Sequence, residues 1–425
     1  MSVDTLVVLM GDELAGHLTR LRGGRLRFDY DEAYRERRHA TPVSVSLPVE
    51  VHRHEDRAVT PWLWGLLPDN EAVLARWSRE FHVSTGSPFG LLSTSLGEDC
   101  PGDIRIVNPD RVTELCGPDT GAGAVDWLSE AEVAQRIREL RRDSTAWLGE
   151  QVSGRFSLAG AQGKTALLRY EGRWGDPRGR YQTTHILKPA IVGLDDHDLN
   201  EHLCLSAMSR AGLSCVRTSV ERFEDQSAIV VARYDRRPGG GSVHQEDLCQ
   251  ALGVHPARKY QSEGGPGPRD VATALRRTMP AAVAVRAVRG FADALIWNWA
   301  IAGTDAHAKN YSLLLSGSQV RLAPFYDVAS ALPYGVAEQK LRLAMKFGTG
   351  YRVNPGSNPW KQFGGDLGLP ADEVRSRART LLEAIPDAFA AISSTEEVRR
   401  LGSELPDRLT DLVTERTRRC ARLLG

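Results

Sequence analysis

An apolar helix pattern that runs straight into a polar loop limits this chain more than any other feature. Val288, Phe291, Leu295 and Trp299 recur at helical spacing. The loop that follows carries Asp305 and, five residues later, Asn310. Leu313–Leu315 and Val320–Leu322 then read as a short apolar hairpin, and Asp327 stands directly behind an aromatic. Alone, each of these residues is ordinary turn material, because Asp and Asn bond to their own backbone. Behind a buried helix and around a hairpin, they match the base and metal-ligand arrangement of kinase-type phosphoryl transfer. One carboxylate, Asp305, would receive or orient the acceptor hydroxyl. An amide oxygen and a second carboxylate, Asn310 and Asp327, would hold Mg²⁺ against nucleotide phosphates. His307 lies inside the loop and is grouped with the cofactor-binding residues. With no second His or Cys at ligand spacing, a structural hydrogen bond outweighs metal ligation there.

The same chemistry needs backbone amides and a cation for the phosphates. The small-residue loop Ala159, Gly160, Ala161, Gln162, Gly163 and Lys164 precedes the strand-like "TALLRY", where its N–H groups could form an anion nest. It is neither a Walker A loop nor GxGxxG. Lys188 ends the apolar run "THILK" in a chain with only seven lysines among 54 basic residues, so a compact ammonium is kept there where arginine is the rule. Glu201, on the following helix pattern, is the candidate partner for Lys188.

Length and composition narrow the setting. A chain of 425 residues exceeds one compact core and suggests two or three domains or lobes. Lys+Arg and Asp+Glu are both 54. This balance gives no electrostatic footprint for direct nucleic-acid binding, and the basic run Arg136–Arg142 reads as a solvated helix face. Six scattered cysteines without a CxxC pair, and no secretory signal, suggest reduced thiols in a cytoplasmic protein. No apolar run approaches the ~20 residues that span a bilayer.

The organisation is strands first and helices later. "TLVVLM", "LAGHLTRL" and "RLRFDY" predict a meander, and Val73, Leu74, Trp77 and Phe81 a helix capped by Asp69 or Asn70. Ser129 and Glu132 form a capping box before another helix. Trp174 to Arg180 reads as a Gly-rich turn region, "LNEHLCLSAMSRAGL" as a helix stopped at Gly212, and "RTSVERF"/"AIVVARY" as a hairpin. Two amphipathic helices fill the last sixty residues. The expected fold is α+β and two-lobed like a protein kinase. A β-rich segment 1–110 is followed by the rest of the N-lobe, 111–235, and a helical C-lobe, 236–425, with nucleotide in the interlobe cleft.

With these pieces assembled, the chain resembles the HipA family of serine/threonine-kinase toxins from bacterial toxin–antitoxin modules. The resemblance rests on "PVSVSLPV", "LLPDN", "SLAGAQGKTALL", "THILKP", "ARYDRR", "QEDLCQALG", "KYQSEGGPG", "GTDAHAKNYS" and "PFYDVASA". It implies ATP and Mg²⁺ as cofactors, Asp305 as catalytic aspartate, Asn310 and Asp327 as metal ligands, and Lys188 on the nucleotide phosphates. It further implies Ala159 to Lys164 as phosphate loop, Ala232, Arg233 and Tyr234 as the hinge against adenine, and Ser157 as an inactivating autophosphorylation site. The implied partner is a HipB-like helix-turn-helix antitoxin, which would supply the DNA contact. The implied substrate is a translation protein such as glutamyl-tRNA synthetase. The chain departs from the family at Ala232, where an acidic residue occurs, and at Gly163, where a larger residue is usual. The competing reading is a binding module with vestigial catalysis that bridges the antitoxin on DNA; intact Lys188, Asp305, Asn310 and Asp327 speak against it.

Overall fold

The computed structural model describes residues 4–116, 124–149, 156–355 and 358–424. The chain forms two compact units, each built from segments distant in sequence. The first comprises Met1–Pro189, Glu221–Ala257 and Leu313–Val320; the second comprises Ala190–Val220, Arg258–Ser312 and Arg321–Gly425.

The first unit is the β-rich one. Strands β1 (Asp4–Met10), β2 (Glu13–Arg20) and β3 (Leu26–Tyr30) form the predicted meander. Strands β4 (Arg53–Glu55) and β5 (Ile104–Val107) extend it to a sheet of order β4-β3-β2-β1-β5. Alternation along β3 buries Leu26, Phe28 and Tyr30 on one face. There Phe28 packs edge-on to Tyr30 at 4.7 Å and meets Trp62 of the Asp56–Gly65 helix at 5.9 Å. The helix Glu71–Glu80 starts at Asn70, whose side chain accepts from the N–H groups of Ala72 and Val73.

A second sheet contains β6 (Val125–Leu128), β7 (Thr165–Tyr170), β8 (Arg173–Pro177), β9 (His185–Lys188), β10 (Thr218–Phe223) and β11 (Gln226–Ala232). Its order is β10-β11-β9-β7-β8-β6. The helix Glu130–Arg142 opens with the predicted Ser129–Glu132 capping box, and its Val133 and Ile137 share a core with Leu167, Leu187 and Val230. Of its basic run, Arg136 pairs with Asp176 and Arg138 with Glu224 and Asp225, while Arg141 and Arg142 stay exposed on the solvated face that the sequence suggests.

The turn expected over Trp174–Arg180 is instead mostly strand β8, paired with β6 and β7. The reversal comes earlier, at Glu171 and Gly172, both with positive φ. Gly175 then lets β6 approach; a Cβ there would stand 2.4 Å from Val125 Cγ1. Strand β12 (His244–Asp247) lies beside β13 (Ser312–Ser316), which pairs with β14 (Gln319–Leu322).

The second unit is mostly helical. Its centre is the helix Ala281–Ala300, which buries Val288, Phe291, Leu295 and Trp299 as the apolar spacing predicts, and Trp297 besides. Trp299 stacks on Phe347 at 4.6 Å and meets Trp360 edge-on at 5.7 Å. Phe347 belongs to the hairpin of β15 (Arg342–Phe347) and β16 (Gly350–Arg352). The predicted helices Ala371–Ser393 and Leu405–Ala421 pack on one another, and the helix His197–Arg210 packs against the first of them. From the last helix, fully buried Arg416 donates to the carbonyls of Trp299 and Val353, both at 2.9 Å. A guanidinium thus satisfies a carbonyl at the C-terminal end of the central helix, where a cation is also favoured by the helix dipole. Among the described residues, no helix is long and apolar enough to cross a membrane.

Candidate functional site

In the second unit, the central helix ends at Ala300 and the chain turns sharply through Ala302, with φ +53°. Asp305 follows on the exposed side of the loop. Its backbone carbonyl accepts from His307 N–H at 2.8 Å and from Asn310 Nδ2 at 2.7 Å. The Asn310 amide nitrogen is therefore committed to shaping the loop, and its Oδ1 is the atom suited to a cation. Asn310 is buried to 8% exposure and lines one small cavity together with Asp327, Asn298, Ala306 and Tyr326. Asp327 adopts φ +53°, a left-handed conformation that costs a non-glycine residue free energy and recurs at functional sites.

Tyr326 explains how two residues so far apart in sequence reach one cavity. Its hydroxyl donates to the Lys309 carbonyl at 2.7 Å and shares a 2.6 Å hydrogen bond with Ser312 Oγ. The residue before Asp327 is thereby tied to the residue before Asn310. Only the aromatic preceding Asp327 was visible in the sequence, not this link. The donor set of one amide oxygen and one carboxylate is hard and oxygen-based. It suits Mg²⁺, which keeps waters and substrate phosphates among its ligands. No cluster of three His, Cys, Asp or Glu poised for a metal occurs among the described residues, and such a magnesium site does not need one. His307 is buried, with its ring edge-on to Tyr260 at 5.0 Å. Tyr260 in turn donates its hydroxyl to Asp305 Oδ1 at 2.5 Å, a contact between residues 45 positions apart that no local pattern signals. Glu201 is buried in the helix His197–Arg210 of this unit.

The first unit holds the remaining candidates. Lys188 ends β9, buried to 4% exposure, opposite Ile229 of β11. In the loop before β7, three consecutive carbonyls are taken by donors from the protein. Lys164 Nζ bonds Ala159 O at 2.6 Å, Asp69 N–H bonds Gly160 O at 3.0 Å, and Asn70 Nδ2 bonds Ala161 O at 3.1 Å. A trans peptide points its N–H opposite to its C=O. The amides of Gly160, Ala161 and Gln162 therefore face away from these donors, as an anion nest requires. "LLPDN" thus has a physical role: its last two residues pin the loop. Lys164 is a clasp within the loop, its ammonium also 4.9 Å above the Trp147 ring.

Along "ARYDRR", the Arg233 N–H donates to Thr184 O at 2.9 Å, continuing the pairing of Ala232 with His185. The Arg233 side chain turns inward to Asp99 and Asp235, and the Tyr234 hydroxyl donates to Gln245 Oε1 at 2.6 Å. What this segment can offer a ligand is therefore backbone. Arg236 completes a buried four-charge cluster with both aspartates. Burial alone would raise the Asp99 carboxyl, but the charges of Arg233 and Arg236 and two bonds from Thr183 hold it below its ordinary value. Ser157 is fully buried; its Oγ donates to Leu66 O at 2.6 Å and its N–H to Asp99 O at 2.9 Å.

Comparison with known proteins agrees with this architecture. Residues 6–107 match the HipA N-terminal domain and residues 156–389 the HipA-like C-terminal domain. The chain is 32% identical over 397 residues to the putative kinase Y4mE of Sinorhizobium fredii, covering 92% of each chain. It is 29% identical over 370 residues to the serine/threonine-protein kinase toxin HipA of Shewanella oneidensis, covering 83% of this chain and 81% of that one. The fold matches the Shewanella oneidensis HipA solved with HipB and its operator DNA, with TM-score 0.81, 23% identity and 97% of both chains covered. By sequence over most of its length, and by fold, this chain belongs to the HipA family.

Proposed function

We propose that the protein is an ATP- and Mg²⁺-dependent serine/threonine kinase that acts as a growth-arresting toxin. The observation that carries this reading is the second unit's loop: exposed Asp305, with Asn310 and Asp327 lining one cavity and locked together by Tyr326. Asp305 accepts or orients the proton of the acceptor hydroxyl. Asn310 and Asp327 hold Mg²⁺, which when bound neutralises phosphate charge. Lys188 and the amides of the Ala159–Lys164 loop bind the nucleotide phosphates. Backbone groups of Ala232 to Tyr234 receive adenine. Such catalysis is mainly positioning and charge neutralisation.

Ser157 is the inactivating autophosphorylation site in this reading. Its hydroxyl is enclosed and bonded to a carbonyl, so a phosphate, with up to two negative charges, has no room where the serine sits. Modification would therefore force the segment out of its place beside the phosphate loop. The partner is a small helix-turn-helix antitoxin, as the Shewanella HipA was solved with HipB and operator DNA. A formal net charge of zero favours DNA contact through that partner. The substrate is a translation protein of the glutamyl-tRNA synthetase type.

The test is incubation of purified protein with labelled ATP and Mg²⁺. Label on Ser157 in the wild type and none in Asp305→Gln supports the assignment. Equal labelling of both proteins refutes it. Phosphoproteomics of cells expressing the two forms identifies the substrate.

A further inference from the structure

The motif "KYQSEGGPG", residues 259–267, has no role in the reading above, yet it lies on the Asp305 loop. The segment folds back on itself: the Tyr260 carbonyl accepts from the N–H groups of Glu263 and Gly265, both at 3.0 Å. Gly265 has no room for a side chain, since a Cβ would stand 2.0 Å from Arg258 O and 2.8 Å from Tyr260 O. Two bonds anchor the segment to its own unit. Ala308 N–H donates to Lys259 O at 3.3 Å, and Lys346 N–H donates to Gln261 Oε1 at 2.7 Å.

The outcome of this folding is the placement of one hydroxyl. Tyr260, half-buried with its ring against His307, donates to Asp305 Oδ1 at 2.5 Å. That is the length of a charge-assisted O–H···O⁻ bond. An exposed aspartate otherwise samples several rotamers. A single strong donor on one oxygen selects one of them and leaves the second oxygen to receive an acceptor proton.

We propose that Tyr260 is a positioning residue for Asp305, and that the glycine-rich turn exists to hold its phenol on the carboxylate. This rests on the reading of Asp305 as the base. The phenol touches no reacting atom; it acts through Asp305. The opposite role, a phenol that occupies the acceptor's place and blocks it, predicts the opposite sign.

The experiment uses the full chain with Mg²⁺ and measures phosphate transfer from labelled ATP against ATP concentration. Tyr260→Phe keeps the ring and removes only the donor. The saturating rate falls about ten- to a hundredfold, the worth of a hydrogen bond to a charged group. The half-saturating ATP concentration and the melting temperature stay unchanged. In an Asp305→Asn background, Tyr260→Phe has no further effect, since the group it positions is already disabled. Gly265→Ala, which displaces the Tyr260 carbonyl, reproduces the rate loss. A Tyr260→Phe rate equal to or above wild type overturns the proposal, and a rise identifies the phenol as a block. If Asp305→Asn itself keeps the wild-type rate, the base assignment has failed. If Asp305→Asn is inactive while Tyr260→Phe is not impaired, only the part given to Tyr260 has failed.

Discussion

Replacing Asp99 with asparagine tests the buried charge cluster of the first unit. Asp99 accepts from Thr183 N–H at 2.8 Å, Thr183 Oγ1 at 2.7 Å, Arg236 at 2.7 Å and Arg233 at 3.3 Å. The four charged side chains are 2–6% exposed. Two carboxylates against two guanidiniums make the cluster neutral; the substitution leaves two positive charges facing Asp235 alone. Breaking a buried pair on one side costs about 3–5 kcal/mol, because the stranded charge is not rehydrated. Urea denaturation of Asp99→Asn is expected to show a loss of this size. The exposed i,i+4 pair Arg400–Glu396 is the control: with side chains 75% and 78% exposed, its removal costs below about 0.5 kcal/mol. Adding Arg233→Met to Asp99→Asn restores neutrality and should recover part of the loss. A single variant that loses under about 1 kcal/mol, or a double variant worse than the sum of its parts, refutes the charge-balance argument.

Burial pushes the imidazoles of His202 and His244 down to about 4, so their contribution to stability is complete above the unfolded value of ~6.5 and is lost as pH falls toward 4. Burial pushes the Glu246 carboxyl up to about 8 despite its bonds from Ser44 and Val45. Its contribution is complete below the unfolded value of ~4.3 and is lost as pH rises through 8. Stability measured from pH 5 to pH 9 should therefore decline less on the alkaline side in Glu246→Gln than in wild type. Lys164→Met removes the clasp on Ala159 and should raise the half-saturating ATP concentration about tenfold, read by nucleotide titration, with folding intact. Arg416→Met takes one of two donors from each of the carbonyls of Trp299 and Val353, which keep Ala302 N–H and Trp299 Nε1, and leaves Glu338 with Arg419; a loss of about 1–2 kcal/mol is expected in thermal denaturation.

Much of the fold was legible because its signals are local. The meander, the Ser129 capping box and the helix through Phe291 and Trp299 follow from side-chain period and caps, which need no knowledge of distant partners. Strand β8 was misread because glycine normally marks a turn; Gly175 serves the close approach of β6, and that neighbour lies some fifty residues earlier in the chain. Likewise, "LLPDN" could be recognised as a motif but not understood, since its partner carbonyls at Gly160 and Ala161 are about ninety residues away.

Residue types and their spacing are readable from chain order: an acid, an amide and an acid behind a buried helix, and lysine where arginine is otherwise used. Chemistry of that kind is written in composition and order. Tertiary structure alone decided the links that aim those groups: Tyr326 between Asn310 and Asp327, Tyr260 on Asp305, Lys164 across its own loop, and Arg416 under the central helix. A hydrogen bond requires its two atoms within about 3 Å at a set angle. Chain order does not encode that proximity until the packed core has fixed both backbones.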